Sequence, residues 1–421
     1  MNNYKSYIKI ILILIIPVIS FVVGFISLED SLGGSKNDFN HHEKYIWNFY
    51  SNFNETFSNF GLNSEVRNLP TFYILSSLVI TLGFELSDLR YFNLLSLILI
   101  ILFIYKCFNL RFKKIKTETI VLFICCLLLS PTIRSLINYP YPFIWGLCFF
   151  VISIYYFLKF KFEKNNYFLN SIFCIINIAI SSYFTPNFSV FILYFFYFFY
   201  SKFKFSKNLI SILILSLLLS LPALSFLILQ DFYIFNNDVF QVSVLEKFNF
   251  SNKFIIISSF LLIFLIPFIN SNEIFISDVK KKIFNFKFYL LIFFSFFCII
   301  IFDYKIGAGG GIFFQLSNIL LKNNFLVFLS FILFLTISYI YNLINFNNIS
   351  ILIILVLFNL QYTIYYKYFD PLIIFVYLFL INNINFNKDY LNLAAKKLYF
   401  FYIFFLLANI YKVQIKQFLI I

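Results

Sequence analysis

Long apolar runs separated by short polar segments form the dominant pattern along this chain. The runs fall near residues 7–28, 91–107, 119–137, 143–160, 167–185, 187–201, 208–229, 254–270, 288–302, 324–341, 349–366, 371–384 and 398–413. Most approach the roughly 20 apolar residues that a helix needs to cross a bilayer. The pattern predicts an all-α, polytopic membrane protein of about 13 transmembrane helices. It also predicts one integral membrane domain over residues 1–421.

Composition supports a chain that spends most of its length in lipid. Hydrophobic residues make up 62% of the 421 residues, and charged residues only 12%. Soluble domains carry about 25% charged residues. This difference excludes a soluble enzyme and a nucleic-acid-binding domain. We therefore read the net charge of +14 as basic loops beside a membrane, where Lys and Arg concentrate on the cytoplasmic side.

The positions of the basic residues predict the orientation of the chain. Lys5 and Lys9 precede the first run. The other basic segments are residues 111–116, 159–164, 202–207, 280–287 and 388–397. With 13 crossings all of them lie on the cytoplasmic side, as the positive-inside rule requires. Most acidic residues then lie outside, which favours a site at the outer membrane surface over an ion pathway through the bilayer.

The longest predicted outer segment, residues 29–90, combines polar residues with two helical patterns. Between about 41 and 58, Tyr45, Phe49 and Phe53 recur every fourth position, which predicts an amphipathic helix. A second apolar run at 70–84 is short for a span, and Pro70 suits a first helical turn. We expect both helices to lie in the membrane interface.

The candidate chemistry of this loop centres on Asp38. One alternative makes Asp38 the N-cap of the helix that follows, and the other makes it a catalytic carboxylate. His41 and His42 point about 100° apart on a helix, which makes them a poor joint metal pair and suits a solvated helix start. Asp38, His42 and Glu43 could form one corner of a metal site. We predict no resident metal and leave a need for a divalent ion open.

Two further segments place cations on the predicted outer side. Arg134 lies near the end of a span, where its side chain could reach lipid headgroups or bind an anion such as phosphate. Lys305 belongs to the glycine-rich segment 303–311, which lacks the order of a phosphate-binding P-loop and suits a mobile loop. The six cysteines lie in or beside apolar runs, so we expect no disulfide framework.

Several of these residues stand in the order of a known family. Asn37-Asp38 follows the first span, Leu69-Pro70-Thr-Phe-Tyr73 opens the second loop helix, and Asp88-Leu-Arg90 precedes the next span. Ser130-Pro131 lies at the outer end of the span after that. This order resembles the GT-C superfamily of membrane glycosyltransferases, which use polyprenyl-phosphate sugars.

Within that superfamily the chain is similar to dolichyl-phosphate-glucose α-1,2-glucosyltransferases, where His follows an acid after four residues, as His42 follows Asp38. The second acid of the family's Asp-Glu pair is replaced by Phe39, which argues against a metal-dependent variant.

The resemblance implies sugar transfer from a polyprenyl-phosphate donor to a glycan, lipid or protein acceptor, with inversion and with Asp38 as general base. It implies an active site on the outer or lumenal face of a cell inner membrane or an ER membrane, without a cofactor. The substrate contacts it implies are His42, Arg67, Arg134, Tyr139 and Lys305.

Two other classes of membrane protein stay open at this stage. A flippase or transporter of a lipid-linked or small solute usually shows repeats and interrupted helices that meet polar groups at the bilayer midplane. A polysaccharide polymerase or ligase also acts at the outer face, and it typically carries a large loop late in the chain. Here the longest outer loop is the first one.

Overall fold

The computed structural model describes residues 2–63, 66–112, 115–163, 165–236, 248–269, 276–305, 309–382 and 388–419. Over these residues the chain is helical and contains no β-strand, which confirms the all-α prediction. The chain divides into two compact units, Met1–Ser243 with Tyr399–Ile421, and Val244–Leu398.

The first unit is built mainly from helices that follow one another in the chain. In order they are α1 (Asn2–Ile26), α2 (Ser35–Ser51), α3 (Phe53–Ser58), α4 (Phe60–Asn63), α5 (Thr71–Thr81), α6 (Leu89–Arg111), α7 (Thr117–Leu129), α8 (Pro131–Asn138), α9 (Pro142–Phe162), α10 (Tyr167–Phe184), α11 (Phe191–Phe203), α12 (Lys207–Leu229) and α13 (Tyr233–Asn236).

The second unit contains α14 (Phe250–Leu265), α15 (Ile276–Ile283), α16 (Phe286–Ile301), α17 (Gly311–Leu316), α18 (Phe325–Ile340), α19 (Phe346–Phe358) and α20 (Leu372–Phe375). Short π-helical segments, Ser317–Leu321 and Val376–Leu380, directly follow α17 and α20. The last helix, α21 (Lys388–Leu419), begins in the second unit and continues into the first.

Seven of the described helices are long and apolar enough to cross a membrane. They are Ile8–Ile26, Leu86–Arg111, Pro142–Phe162, Tyr167–Phe184, Lys207–Leu229, Phe250–Phe268 and Tyr390–Tyr411. The pair α7 and α8 adds an eighth span if its 57° bend lies within one crossing. The chain is therefore a multi-pass membrane protein by the length and composition of its helices, while the finer prediction of 13 spans is not confirmed.

The difference in number has a geometric reason. Helices α16 and α18 contain 16 residues each, about 24 Å at 1.5 Å per residue, short of a hydrocarbon core of about 30 Å. The predicted span at 371–384 becomes the short α20 and a π-helical segment, and Leu372–Leu380 is buried throughout. Residues 383 and 384 lie outside the described part. An apolar run of this kind fits a protein interior as well as lipid.

The loop helices form largely where the polar–apolar pattern predicts them. α2 starts at Ser35, six residues before the predicted position, and ends at Ser51. The next residue is Asn52, whose side chain accepts a hydrogen bond from the Glu55 backbone N–H at 3.4 Å. The predicted helix 41–58 is therefore two helices, α2 and α3, with Asn52 between them. The predicted helix 70–84 is the shorter α5, which directly follows Pro70 and is followed by Gly83 at φ +93°.

Helices α2 and α5 pack against each other through aromatic side chains. Tyr45 and Phe49 of α2 are 4% and 2% exposed and belong to the same buried cluster as Phe72 and Tyr73 of α5. Trp47 lies on the opposite, exposed side of α2. The amphipathic pattern thus marks the face of α2 that packs on a neighbouring helix.

Candidate functional site

Asp38 lies in the first turn of α2 and is half-buried. It is not the N-cap, because α2 begins at Ser35 with Gly34 in the capping position, so that expectation was wrong. Asp30 is the acidic residue that binds backbone N–H groups at the start of α2. Its carboxylate accepts hydrogen bonds from the backbone N–H groups of Gly33 at 3.0 Å and Lys36 at 3.2 Å. The Asp38 carboxylate still lies near a helix N-terminus, where the helix dipole favours negative charge.

His42 lies one helical turn after Asp38, so the two side chains share a face of α2. The His42 side chain is 4% exposed, and its Nδ1 is 2.7 Å from the hydroxyl oxygen of Tyr73. Its ring packs edge-on against Tyr141 with centroids 4.6 Å apart. His42 therefore joins α2 to α5. His41 is exposed, as expected of a solvated residue, but it lies in the second turn of α2 and not at the helix start. For His42 the expectation of a solvated position was wrong.

Aromatic side chains extend this contact towards α6 and α9. Phe72 meets Trp145 with ring centroids 5.3 Å apart. The indole N–H of Trp145 donates to Oδ1 of Asn93 at 2.7 Å, and Nδ2 of Asn93 donates to the backbone oxygen of Leu136 at 2.8 Å. Asn93 is fully buried. The face of α2 that carries His42 thus adjoins a wall of rings held by buried hydrogen bonds.

Arg134 of α8 is buried and forms an ion pair with Glu29. Its Nε donates to Oε1 of Glu29 at 3.2 Å, and its Nη2 also contacts the same carboxylate. Nη2 donates to the backbone oxygen of Ser20 at 2.8 Å. With 3% of its side chain exposed, Arg134 does not extend to lipid headgroups, so that alternative was wrong. The role of Arg134 as a phosphate ligand stays a prediction. In that role, a phosphate group would have to replace the Glu29 carboxylate as the partner of the guanidinium.

Neighbouring polar groups hold the segment that leads from α1 to α2 against α8. Nδ2 of Asn138 donates to the backbone oxygens of Gly24 at 3.0 Å and Glu29 at 2.9 Å. The hydroxyl of Tyr139 donates to the backbone oxygen of Leu28 at 2.8 Å. Burial, together with the charge of Asp30, raises the pKa of Tyr139. We call this set of contacts, with Glu29 and Arg134, the α1–α8 clamp.

The remaining predicted contacts occupy different parts of the chain. Arg67 is half-buried in the segment between α4 and α5, in the first unit. Lys305 is exposed and belongs to the second unit. Residues 306–308 of its predicted glycine loop lie outside the described residues. Gly309, Gly310 and Gly311 have φ values of +82°, +75° and +77°, a backbone region that glycine favours.

Several notable groups had no role assigned from the sequence. In the sequence, Glu29 is one of many acidic residues on the predicted outer side, and Lys253 lies next to an apolar run. Lys253 is 2% exposed, and its ammonium donates to the backbone oxygens of Asn359 and Gln361 in the second unit. Asp370, in the same unit, is fully buried. The sequence signal that could have identified them is a charged residue at the edge of an apolar run. Such a residue is a candidate for a buried, paired charge, because buried charges in membrane proteins usually have a partner.

Metal-ligating and sulfur groups add little to this site. The part of the chain that the structure describes contains no group of three or more His, Cys, Asp or Glu side chains that could hold a metal ion. All six cysteines are buried and none forms a disulfide, as expected for small apolar side chains in helix contacts.

No protein-family model, curated protein or solved structure matches this chain. The similarity to GT-C glycosyltransferases therefore rests on the residues quoted from the sequence. The site itself offers a half-buried carboxylate at a helix N-terminus, beside a buried histidine and a wall of aromatic rings.

Proposed function

We propose that this chain is a membrane glycosyltransferase that moves a sugar from a polyprenyl-phosphate donor to an acceptor hydroxyl, with Asp38 as general base. The observation that carries the proposal is the environment of Asp38. It is half-buried, it lies one turn from buried His42, and the ring of His42 packs on Tyr141. A carboxylate in such a setting is suited to accept a proton from a bound hydroxyl.

The chemistry needs one bond made, one bond broken and one proton moved. The acceptor oxygen forms a bond to the anomeric carbon of the donor sugar, and its proton passes to the Asp38 carboxylate. The bond between the anomeric carbon and the phosphate oxygen breaks on the opposite side, and polyprenyl phosphate leaves with the electron pair. Attack opposite the leaving group inverts the anomeric carbon. Because the phosphate is already attached to the donor, the reaction requires no nucleotide site.

The leaving phosphate needs a cation to balance its charge. We assign that contact first to Arg67, which is half-buried and precedes α5, because hydrogen bonds between arginine and phosphate are charge-assisted. Arg134 is assigned a positioning role through the α1–α8 clamp, which holds the segment leading into α2. The acceptor class and the donor sugar stay open in this proposal.

The test is sugar transfer by purified protein in liposomes that contain a radiolabelled polyprenyl-phosphate sugar and membrane extract as the acceptor source. General-base assistance contributes roughly 10²–10⁴-fold. Asp38→Asn should therefore reduce turnover by about 10²-fold or more while the protein remains folded. Glu43→Gln is the matched control, because Glu43 lies on the same helix and loses the same charge.

Two results would remove the proposal. One is transfer at wild-type rate by a folded Asp38→Asn protein, and the other is an equal loss in the Glu43→Gln control. Trp47 and Trp145 are the only tryptophans, so their fluorescence reports whether the fold around the site survives each change.

A second candidate, a flippase for a lipid-linked solute, is favoured by one specific feature. The α7–α8 pair bends by 57° beside the buried pair of Arg134 and Glu29. Interrupted helices with buried charges are typical of transporters. The same liposomes distinguish the two functions. A flippase would carry the labelled lipid across the bilayer without transfer, and its rate would depend on Arg134 and remain unchanged in Asp38→Asn.

A further inference from the structure

A groove lined almost entirely by apolar side chains lies between α14, α18 and α19 of the second unit. Its empty volume is about 490 Å³, including the part that is open to the surroundings, whereas one water molecule takes up about 30 Å³ in the liquid. The lining residues other than Leu, Ile and Phe are Ser338, Asn348 and Tyr377. We call this cavity the α18–α19 groove. It has room for a segment of a chain-like ligand.

The largest polar side chains of the groove form their hydrogen bonds within the protein. The hydroxyl of Tyr377 donates to the backbone oxygen of Leu261 at 2.9 Å. Nδ2 of Asn348 donates to the backbone oxygens of Leu343 at 2.9 Å and Asn382 at 3.0 Å, and its Oδ1 accepts from the backbone N–H of Asn382 at 2.9 Å. A lining of this kind suits a hydrocarbon chain better than a polar ligand, which would lose its bonds to water there.

The groove has a buried floor and an exposed apolar rim. Leu261 and Ile351 are buried, whereas Ile344 and Ile349 are exposed. Leu261 belongs to Phe250–Phe268, one of the helices long and apolar enough to cross a membrane, so the rim faces lipid if that helix crosses. An apolar groove gains little by itself, because lipid tails are as apolar as leucine. Retention of one kind of lipid therefore needs a further contact.

Cations at one end of the groove provide that contact. The last turn of α15 contains three consecutive lysines, residues 280–282. The ammonium of Lys282 donates to the backbone oxygen of Ile340 and, at 3.1 Å, to Oδ1 of Asn342. Both acceptors lie where α18 ends, and the next residue, Leu343, lines the groove. The lysine side chain is thus fixed beside the opening of an apolar groove.

We propose that the α18–α19 groove holds an acyl chain of an anionic glycerophospholipid, whose phosphate contacts the ammonium groups of Lys282 and Lys281. An ammonium has three N–H donors, and two of those of Lys282 meet the protein oxygens described above. Segment 276–287 contains four lysines and one aspartate, so its charge matches an anionic headgroup. Basic pockets between helices on the cytoplasmic side bind such headgroups, and this segment is predicted on that side. The proposal is independent of sugar transfer, because it uses other residues.

The test is native mass spectrometry of the purified full-length protein in detergent, with equal amounts of phosphatidylglycerol and phosphatidylcholine of identical acyl chains. Wild type should retain phosphatidylglycerol in preference. Leu352→Trp places an indole in the groove and should reduce retained phosphatidylglycerol to the level of phosphatidylcholine. Lys282→Gln should weaken retention by about fivefold. If Lys282→Gln fails to fold, which thermal melting would reveal, Lys281→Gln at an exposed position tests the same charge.

Two control variants separate a built site from general effects. Ile353→Trp adds the same bulk one residue further along α19, at an exposed position outside the groove. Lys396→Gln removes a charge from an exposed position of the same unit. Both should retain phosphatidylglycerol as wild type does, and an equal loss in either would overturn the proposal. Equal retention of the two lipids by wild type would overturn it as well, as would unchanged retention by a folded Leu352→Trp protein or displacement of the lipid by millimolar inorganic phosphate.

Discussion

The buried ion pair of the α1–α8 clamp makes the sharpest prediction about stability. The side chain of Arg134 is 3% exposed and that of Glu29 is 17% exposed. Arg134→Met removes the cation and keeps much of the apolar bulk. It leaves the Glu29 carboxylate in a nearly closed site without its counter-ion, and it leaves the backbone oxygen of Ser20 without the hydrogen bond it accepts at 2.8 Å.

The expected magnitudes follow from what each change leaves behind. Removal of one partner of a buried pair costs about 3–5 kcal/mol of unfolding free energy. We expect the lower end for Arg134→Met, about 3 kcal/mol, because water reaches part of Glu29. Glu29→Gln should cost at least as much, about 3–5 kcal/mol, because it leaves the guanidinium of Arg134, which is only 3% exposed, without a counter-charge. The double variant should be at least about 1 kcal/mol more stable than the sum of the single effects predicts.

The assay is unfolding in mixed micelles titrated with dodecyl sulfate, followed by tryptophan fluorescence, on wild type, both single variants and the double variant. Lys159 and Glu163 provide the control cycle, because they form a partly exposed pair four residues apart at 3.6 Å and should couple by only about 0.5 kcal/mol. Additive effects at Arg134 and Glu29, or coupling no larger than in the control cycle, would refute the reasoning.

Three further predictions concern the same region. Gly24→Ala should destabilise the protein, because the added Cβ would collide with the Glu29–Arg134 pair. The direction is opposite to the usual effect, since alanine favours a helix by about 1 kcal/mol over glycine. Thermal melting measures the loss of stability. Tyr73→Phe should lower the unfolding free energy by about 1–3 kcal/mol, since buried His42 loses its 2.7 Å partner. The raised pKa of Tyr139 means that its contribution to stability is complete below its ordinary pKa of 10.0 and is lost as pH rises through the raised value; alkaline melting curves of wild type should fall more steeply than those of Tyr139→Phe.

Each of these predictions has a direct contradiction. Gly34→Ala is the control for the first, because an added Cβ there meets nothing within 4 Å; equal behaviour of the two alanine variants would contradict the collision. Wild-type stability of Tyr73→Phe would show that the histidine contact carries no free energy. Parallel alkaline curves for wild type and Tyr139→Phe would exclude the phenol as the titrating group.

The number of predicted spans illustrates what the hydrophobic pattern leaves undecided. Apolar residues in lipid and apolar residues in a protein interior have the same composition, so Leu372–Leu380 reads as a span although it is buried in the second unit. The positions of most helices were nevertheless predicted to within a few residues, because the prolines and glycines that interrupt apolar runs act locally. Pro70 before α5 and the bend that follows Leu129 are examples.

For the candidate site, the sequence identified residue types and the structure identified partners. Asp38 and His42 share a helix face because they are four residues apart, and the periodicity alone predicts this. The partner of His42 is Tyr73, 31 positions away, and that of Arg134 is Glu29, 105 positions away. Nothing local in the chain distinguishes Glu29 from the other outer acids.

The amino-acid sequence by itself determined that this protein is helical and inserts in a membrane, because hydrophobicity and helix periodicity are sums over neighbouring residues. It also determined that polar side chains concentrate in the first loop. Only the tertiary structure decided which charges are buried and paired, and which apolar helices form a protein core. Those outcomes depend on contacts between segments far apart in the chain, where packing geometry selects one partner among many of the same chemical type.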